Sequence, residues 1–122
     1  MQKYLYILLL LLGALFANEK YFLVAMNGKN IDGFNTPNKP YIEFEGNDFF
    51  GVGFCNSFFG NIQKRTIQDL ATTMMACDVA TMDLERELFA TFQNATFIKS
   101  DNHTLIARSK AGVLKFKNAY AQ

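Results

Sequence analysis

At 122 residues the chain is long enough for one packed core and too short for two. Half of it is apolar and only 19% is charged, a balance that excludes an intrinsically disordered chain, and its 13 phenylalanines predict an aromatic core. Twelve basic residues against eleven acidic ones leave a net charge of +1, which excludes long-range electrostatic steering of nucleic acid.

The first element in chain order is a leader. Lys3 supplies a minimal positive region, residues 5–12 form an uninterrupted apolar run, and Gly13-Ala14-Leu15-Phe16-Ala17 closes it before polar Asn18-Glu19-Lys20. This pattern predicts a signal peptide over residues 1–17, cut after Ala17, and a mature domain over residues 18–122. Loss of Lys3 with the leader brings the formal charge to zero. As a helix the roughly thirteen apolar residues of the leader span about 20 Å, short of the roughly 30 Å of a hydrocarbon core, which argues against a retained anchor. The first cysteine is Cys55, so no lipid-accepting cysteine follows the cut.

Tyr21-Phe22-Leu23-Val24-Ala25-Met26 predicts a strand, followed by a turn-rich loop through Asn27-Gly28, Asp32-Gly33 and the two prolines, Pro37 and Pro40. In residues 41–45 alternation puts Tyr41, Glu43 and Glu45 on one face and Ile42 and Phe44 on the other. Gly46-Asn47-Asp48 predicts a hairpin turn, and residues 49–54 a strand whose glycines, Gly51 and Gly53, allow a bend or a close backbone approach. Residues 55–61 break the β pattern and predict a compact turn or short helical corner. Residues 62–66 then return to strand, and residues 67–75, ambiguous in period, are assigned to strand on Thr72-Thr73.

A helix follows Cys77, capped by Asp78, with Leu84, Leu88, Phe92 and Ala95 as its apolar stripe and Phe89 widening it. Asp83, Glu85, Arg86 and Glu87 are expected to face water. Three short runs, residues 96–98, 105–108 and 113–116, predict a closing antiparallel meander.

Few residues offer chemistry. A bridge between Cys55 and Cys77 suits an exported chain and would close a loop of about twenty residues, worth roughly 3 kcal/mol; the alternative is two buried thiols that never meet. The single histidine, His103, lies in a polar turn and has no companion ligands at metal-site spacing. Phe58 and Phe59 suit core packing, and exposure of either would make an apolar contact for a partner. Gly51-Val52-Gly53 opens no helix and is strand geometry, not a phosphate loop. Asn94 and Asn102 begin glycosylation sequons that matter only in a source that glycosylates them.

Phe54-Cys55-Asn56-Ser57-Phe58-Phe59-Gly60, then Thr72-Thr73-Met74-Met75-Ala76-Cys77, then residues 82–89 leading the helix, together resemble the META/HslJ domain family. The order of these segments matters as much as their content, and the ending through Leu105-Ile106-Ala107-Arg108 and Gly112-Val113-Leu114-Lys115-Phe116 is similar to that family's closing hairpin. Asn56, Phe59, Gly60, Thr73, Met75 and Ala76 fall on its motif. Tyr21-Phe22 stands where members often have tryptophan, and Phe54 where many have glycine.

The resemblance implies a compact α+β fold, an antiparallel barrel-like sheet with one packed helix. It also implies an envelope or secreted protein linked with heat shock, antibiotic tolerance or virulence, with no established reaction. The expectation is a non-enzymatic, monomeric periplasmic or secreted protein without a cofactor that supports envelope stress tolerance by binding an envelope or extracellular protein. The alternative is a secreted inhibitor or virulence factor acting on a host or competitor enzyme.

Overall fold

Period-two alternation dictates the strands, and the computed structural model, which describes residues 19–36 and 38–119, pairs every one of them with its neighbour in sequence. The strands are β1 Glu19–Met26, β2 Lys29–Asn30, β3 Tyr41–Glu45, β4 Asp48–Val52, β5 Ser57–Gln63, β6 Thr66–Thr72, β7 Thr96–Lys99, β8 Thr104–Ser109 and β9 Gly112–Asn118. All pairings are antiparallel, and β9 returns to pair with β1 from Tyr21↔Asn118 to Met26↔Leu114. Eight strands thereby close into a barrel, while β2 is a short spur on β1. Helix α1, Val79–Phe92, packs on β8 and β9.

Turn chemistry fixes the hairpins. Asn27 and Gly28 carry φ of 51° and 84°, the left-handed pair a two-residue turn needs to match strand twist. The predicted loop from Asn27 through Pro40 thus opens as a hairpin with the spur β2, followed by a single 3-10 turn at Ile31–Gly33. Inside the barrel Ile42 is fully buried and Phe44 packs on the core, as parity requires. Phe92 of α1 stands at the centre of the aromatic cluster, 5.0 Å from Phe58, 6.0 Å from Phe116 and 6.5 Å from Phe97 between ring centroids. One junction is weak: β6 and β7 share only Thr66↔Thr96, where the two hydroxyls meet at 3.0 Å.

Several expectations are corrected. Residues 57–61 are strand, not a helical corner, because Phe58 turns inward and Phe59 outward in register with β4 and β6; only the stretch before Ser57 bends. The strand expected over residues 62–66 is interrupted by a turn at Lys64-Arg65, both with positive φ, and β6 ends at Thr72, short of Met75. The strand expected over residues 49–54 stops at Val52. The helix ends at Phe92, so buried Ala95 belongs to the following turn rather than to the helical stripe. Glu85, expected in water, is 3% exposed. The expected signal peptide lies outside the described residues.

Candidate functional site

The motif residues Cys55, Asn56, Thr73 and Met75 gather around one buried carboxylate, while Phe59 and Gly60 lie along β5. After β4 the chain folds back on itself, with the Gly53 N–H donating to the Asn56 carbonyl at 2.7 Å, and this bend leaves the N–H groups of Cys55 and Asn56 without strand partners. Glu85, on the inner face of α1, accepts both on Oε1, at 2.8 and 2.7 Å, and accepts the Asn56 side-chain amide on Oε2 at 2.7 Å. Three charge-assisted bonds offset the cost of burying the carboxylate. Gly53 makes room for it: a Cβ there would lie 2.6 Å from Glu85 Oε1 and 3.2 Å from the Phe89 ring.

Asn56 carries the contact onward. Its Oδ1 accepts the Met75 N–H at 2.6 Å and the Thr73 hydroxyl at 2.8 Å, and its Nδ2 also reaches the Met75 carbonyl at 3.2 Å. Thr73 Oγ1 in turn accepts the Ser57 N–H at 3.1 Å, and the Thr73 N–H donates to the Ser57 carbonyl. A disulfide joins Cys55 to Cys77, with their Cα atoms 6.3 Å apart, within the ordinary range for such bridges. The segment between β6 and α1 is therefore fastened at Thr73, at Met75 and, covalently, at Cys77. Asp78 then starts the helix, its carboxylate accepting the Thr81 hydroxyl and N–H; these bonds hold the acid below the usual carboxylate range.

Chemically this cluster is closed. Among the described residues no buried side-chain nitrogen or oxygen lacks a partner, and no group of three or more His, Cys, Asp or Glu is placed to hold a metal ion. His103 sits exposed in the turn before β8, its backbone N–H donating to the Asp101 carboxylate at 2.7 Å, a bond that holds that acid below the usual carboxylate range. It stands outside the motif cluster.

What the fastening leaves open is apolar surface. A groove of about 610 Å³ runs between the segment at residues 72–76 and α1, lined by Met75, Ala76, Met82, Arg86, Phe89 and Gln93 among others. Met74 and Met75 at its edge are 95% and 61% exposed. Of the two aromatics assigned to core packing or, where exposed, to a partner contact, Phe58 is buried against Phe49, Phe89 and Phe92, while Phe59 is 53% exposed on the outside of the barrel. Gly60 faces inward, where the Asp69 carbonyl and the Phe49 ring occupy the space of a side chain.

Sequence reasoning brought Cys55, Asn56, Thr73, Met75 and Cys77 together as a motif and missed Glu85. The signal was present: residues 81, 85, 88 and 92 share one helical face, so the same turn that buries Leu88 and Phe92 buries Glu85.

The structure is similar to two proteins solved by NMR. One shares 21% identity at a TM-score of 0.67, with 88% of this chain and 94% of that one covered. The other, from Burkholderia xenovorans, shares 16% identity at a TM-score of 0.60, with 88% and 86% covered. At these identities the likeness is one of fold. A search of curated proteins finds no match. The META domain model matches residues 14–120, the whole barrel and its helix, and the chain belongs to the META domain family.

Proposed function

We propose that this META domain protein is a non-catalytic binding protein of the cell envelope or its surroundings, which supports stress tolerance by docking a partner on the groove beside α1. The observation that carries the reading is the division of labour in the motif. Its polar groups, Asn56, Thr73 and Glu85, spend their hydrogen bonds on one another, whereas the apolar side chains they position, Met74 and Met75, stand in solvent. A general base or nucleophile needs a group free to meet substrate, and an interface needs exposed apolar surface on a rigid support. The Cys55–Cys77 bridge supports placement in an oxidising compartment, and the predicted leader supports export.

The test is survival. Cells lacking the gene are heated or exposed to antibiotics, then complemented with the wild-type chain or with the M74E/M75E double variant. Reduced survival that the wild type restores and the variant does not supports the reading. Unchanged survival on deletion, or full rescue by the variant, overturns it.

A further inference from the structure

A second surface lies on the outside of the barrel. Antiparallel register aligns Glu45, Asp48, Asn61 and Asp69 in one row across β3 to β6, and Glu43, Phe50, Phe59 and Ala71 in the row beside it. Within each strand the two rows are two residues apart, so their side chains share the outer face. Phe50 and Phe59 face each other directly and are 40% and 53% exposed, the aromatic side chains that stand exposed among the described residues. They floor a shallow depression of about 680 Å³ that Asp48, Asn61 and Asp69 border.

Among the described residues the carboxylates of this border have no cationic partner within ion-pair distance. Among the described residues the ion pairs are Lys20 with Glu43, Arg86 with Asp83 and Lys99 with Glu19; Glu45, Asp48 and Asp69 are in none of them. Asp69 accepts only the Asn61 amide, at 3.2 Å. Lys64 and Arg65 lie in the β5–β6 turn, beyond Gln63 and Thr66. An aromatic pair flanked by unpaired negative charge attracts a cation twice over, through the ring faces and through the carboxylates.

We propose that this face of β4, β5 and β6 docks a cationic amphipathic polypeptide segment, its apolar side chains on Phe50 and Phe59 and its lysines or arginines on Asp48, Asp69 and Glu45. The surface is distinct from the α1 groove. Both sides of β5 are already hydrogen-bonded to neighbouring strands, so recognition runs through side chains and not through strand addition. Anionic lipid and nucleic acid are repelled by the same carboxylates. A second copy of the chain is a poorer occupant: of the two lysines beside the Phe22 and Tyr41 rings, Lys20 is held by Glu43 and by the Tyr41 ring at 4.1 Å, and Lys39 lies over the Phe22 ring at 5.4 Å.

The experiment titrates the oxidised mature protein with a lysine–leucine amphipathic peptide and, separately, with its glutamate–leucine counterpart, by calorimetry at low and high salt. Saturable binding of the basic peptide alone, weakened about tenfold by F59S and by D48N/D69N and reduced by salt, is the expected result. Both variants change exposed side chains, and circular dichroism checks that they fold. No binding of the basic peptide, equal binding of the acidic one, or affinity unchanged in both variants overturns the assignment. So does concentration-dependent self-association that the same substitutions abolish, because the occupant is then a second copy.

Discussion

The side-chain amide of Asn56 donates to Glu85 Oε2 at 2.7 Å while the backbone N–H of the same residue donates to Oε1 at 2.7 Å, so a single carboxylate fixes both ends of one asparagine. Replacing Glu85 by alanine leaves the Cys55 and Asn56 backbone N–H groups without partners at a buried site and the Asn56 amide with only the Met75 carbonyl, and is expected to cost about 3 kcal/mol. Glutamine keeps an acceptor for the backbone pair but turns an NH2 group toward the Asn56 amide, and its expected cost is about 1 kcal/mol. Urea unfolding of the two variants measures both; equal costs for alanine and glutamine would remove the Asn56 contact from the account.

The Cys55–Cys77 bridge closes a loop across 22 positions. Its loss in a C55S/C77S variant is expected to lower unfolding free energy by about 3 kcal/mol, with the urea midpoint falling accordingly. Unfolded, unreduced protein should take up no alkylating label, and two labels per chain would contradict the bridge.

Gly60 is a packing requirement. A methyl group there would run into the Asp69 carbonyl oxygen and stand 2.7 Å from the Phe49 ring, and the Asp69 contact is backbone that cannot swing away. G60A is expected to destabilise by roughly 1–3 kcal/mol through a forced shift between β5 and β6. At Gly46 a methyl group meets nothing within 4 Å, although φ is +61°, so G46A should cost about 1 kcal/mol from backbone strain alone. A larger loss at Gly46 than at Gly60 would reverse the argument.

Tyr21 sets an alkaline limit. Burial, then its hydrogen bond to Glu19 at 2.7 Å and the charge on that carboxylate, push the phenol pKa well above its ordinary value. The folded state thus holds a proton that the unfolded chain releases near pH 10. Its contribution is complete below that pH and is lost as pH rises beyond it. Urea midpoints taken on either side of about pH 10 should fall for the wild type and fall less for Y21F; parallel profiles would assign the alkaline loss to other groups.

Much of the barrel was legible because its signals are local. Ile42 and Phe44 alternate with Glu43 and Glu45, and Asp78 caps α1 three residues before the Thr81 N–H that it accepts. Glu85 was hidden because its neighbours Asp83, Arg86 and Glu87 are solvated: charge in a run reads as surface, and only the donors stranded by the bend at Cys55, thirty positions away in the chain, make burial favourable. The strand at Phe58-Phe59-Gly60-Asn61 was hidden for a related reason. Glycine and asparagine normally mark turns, yet Gly60 is in a strand because Phe49 and Asp69 fill its place, and neither constraint is visible along the chain.

Tyr21 and Asn118 are register partners, so the cylinder is completed by the two extremes of the described chain meeting side by side. Every other strand junction can form before the final strand is made, as a hairpin, across β2 between β1 and β3, or across α1 between β6 and β7. The last seam has to wait for the final strand, and until it arrives the molecule is an open sheet with two raw edges. A chain cut short before residue 112 would keep those edges permanently and be prone to stick to its own kind.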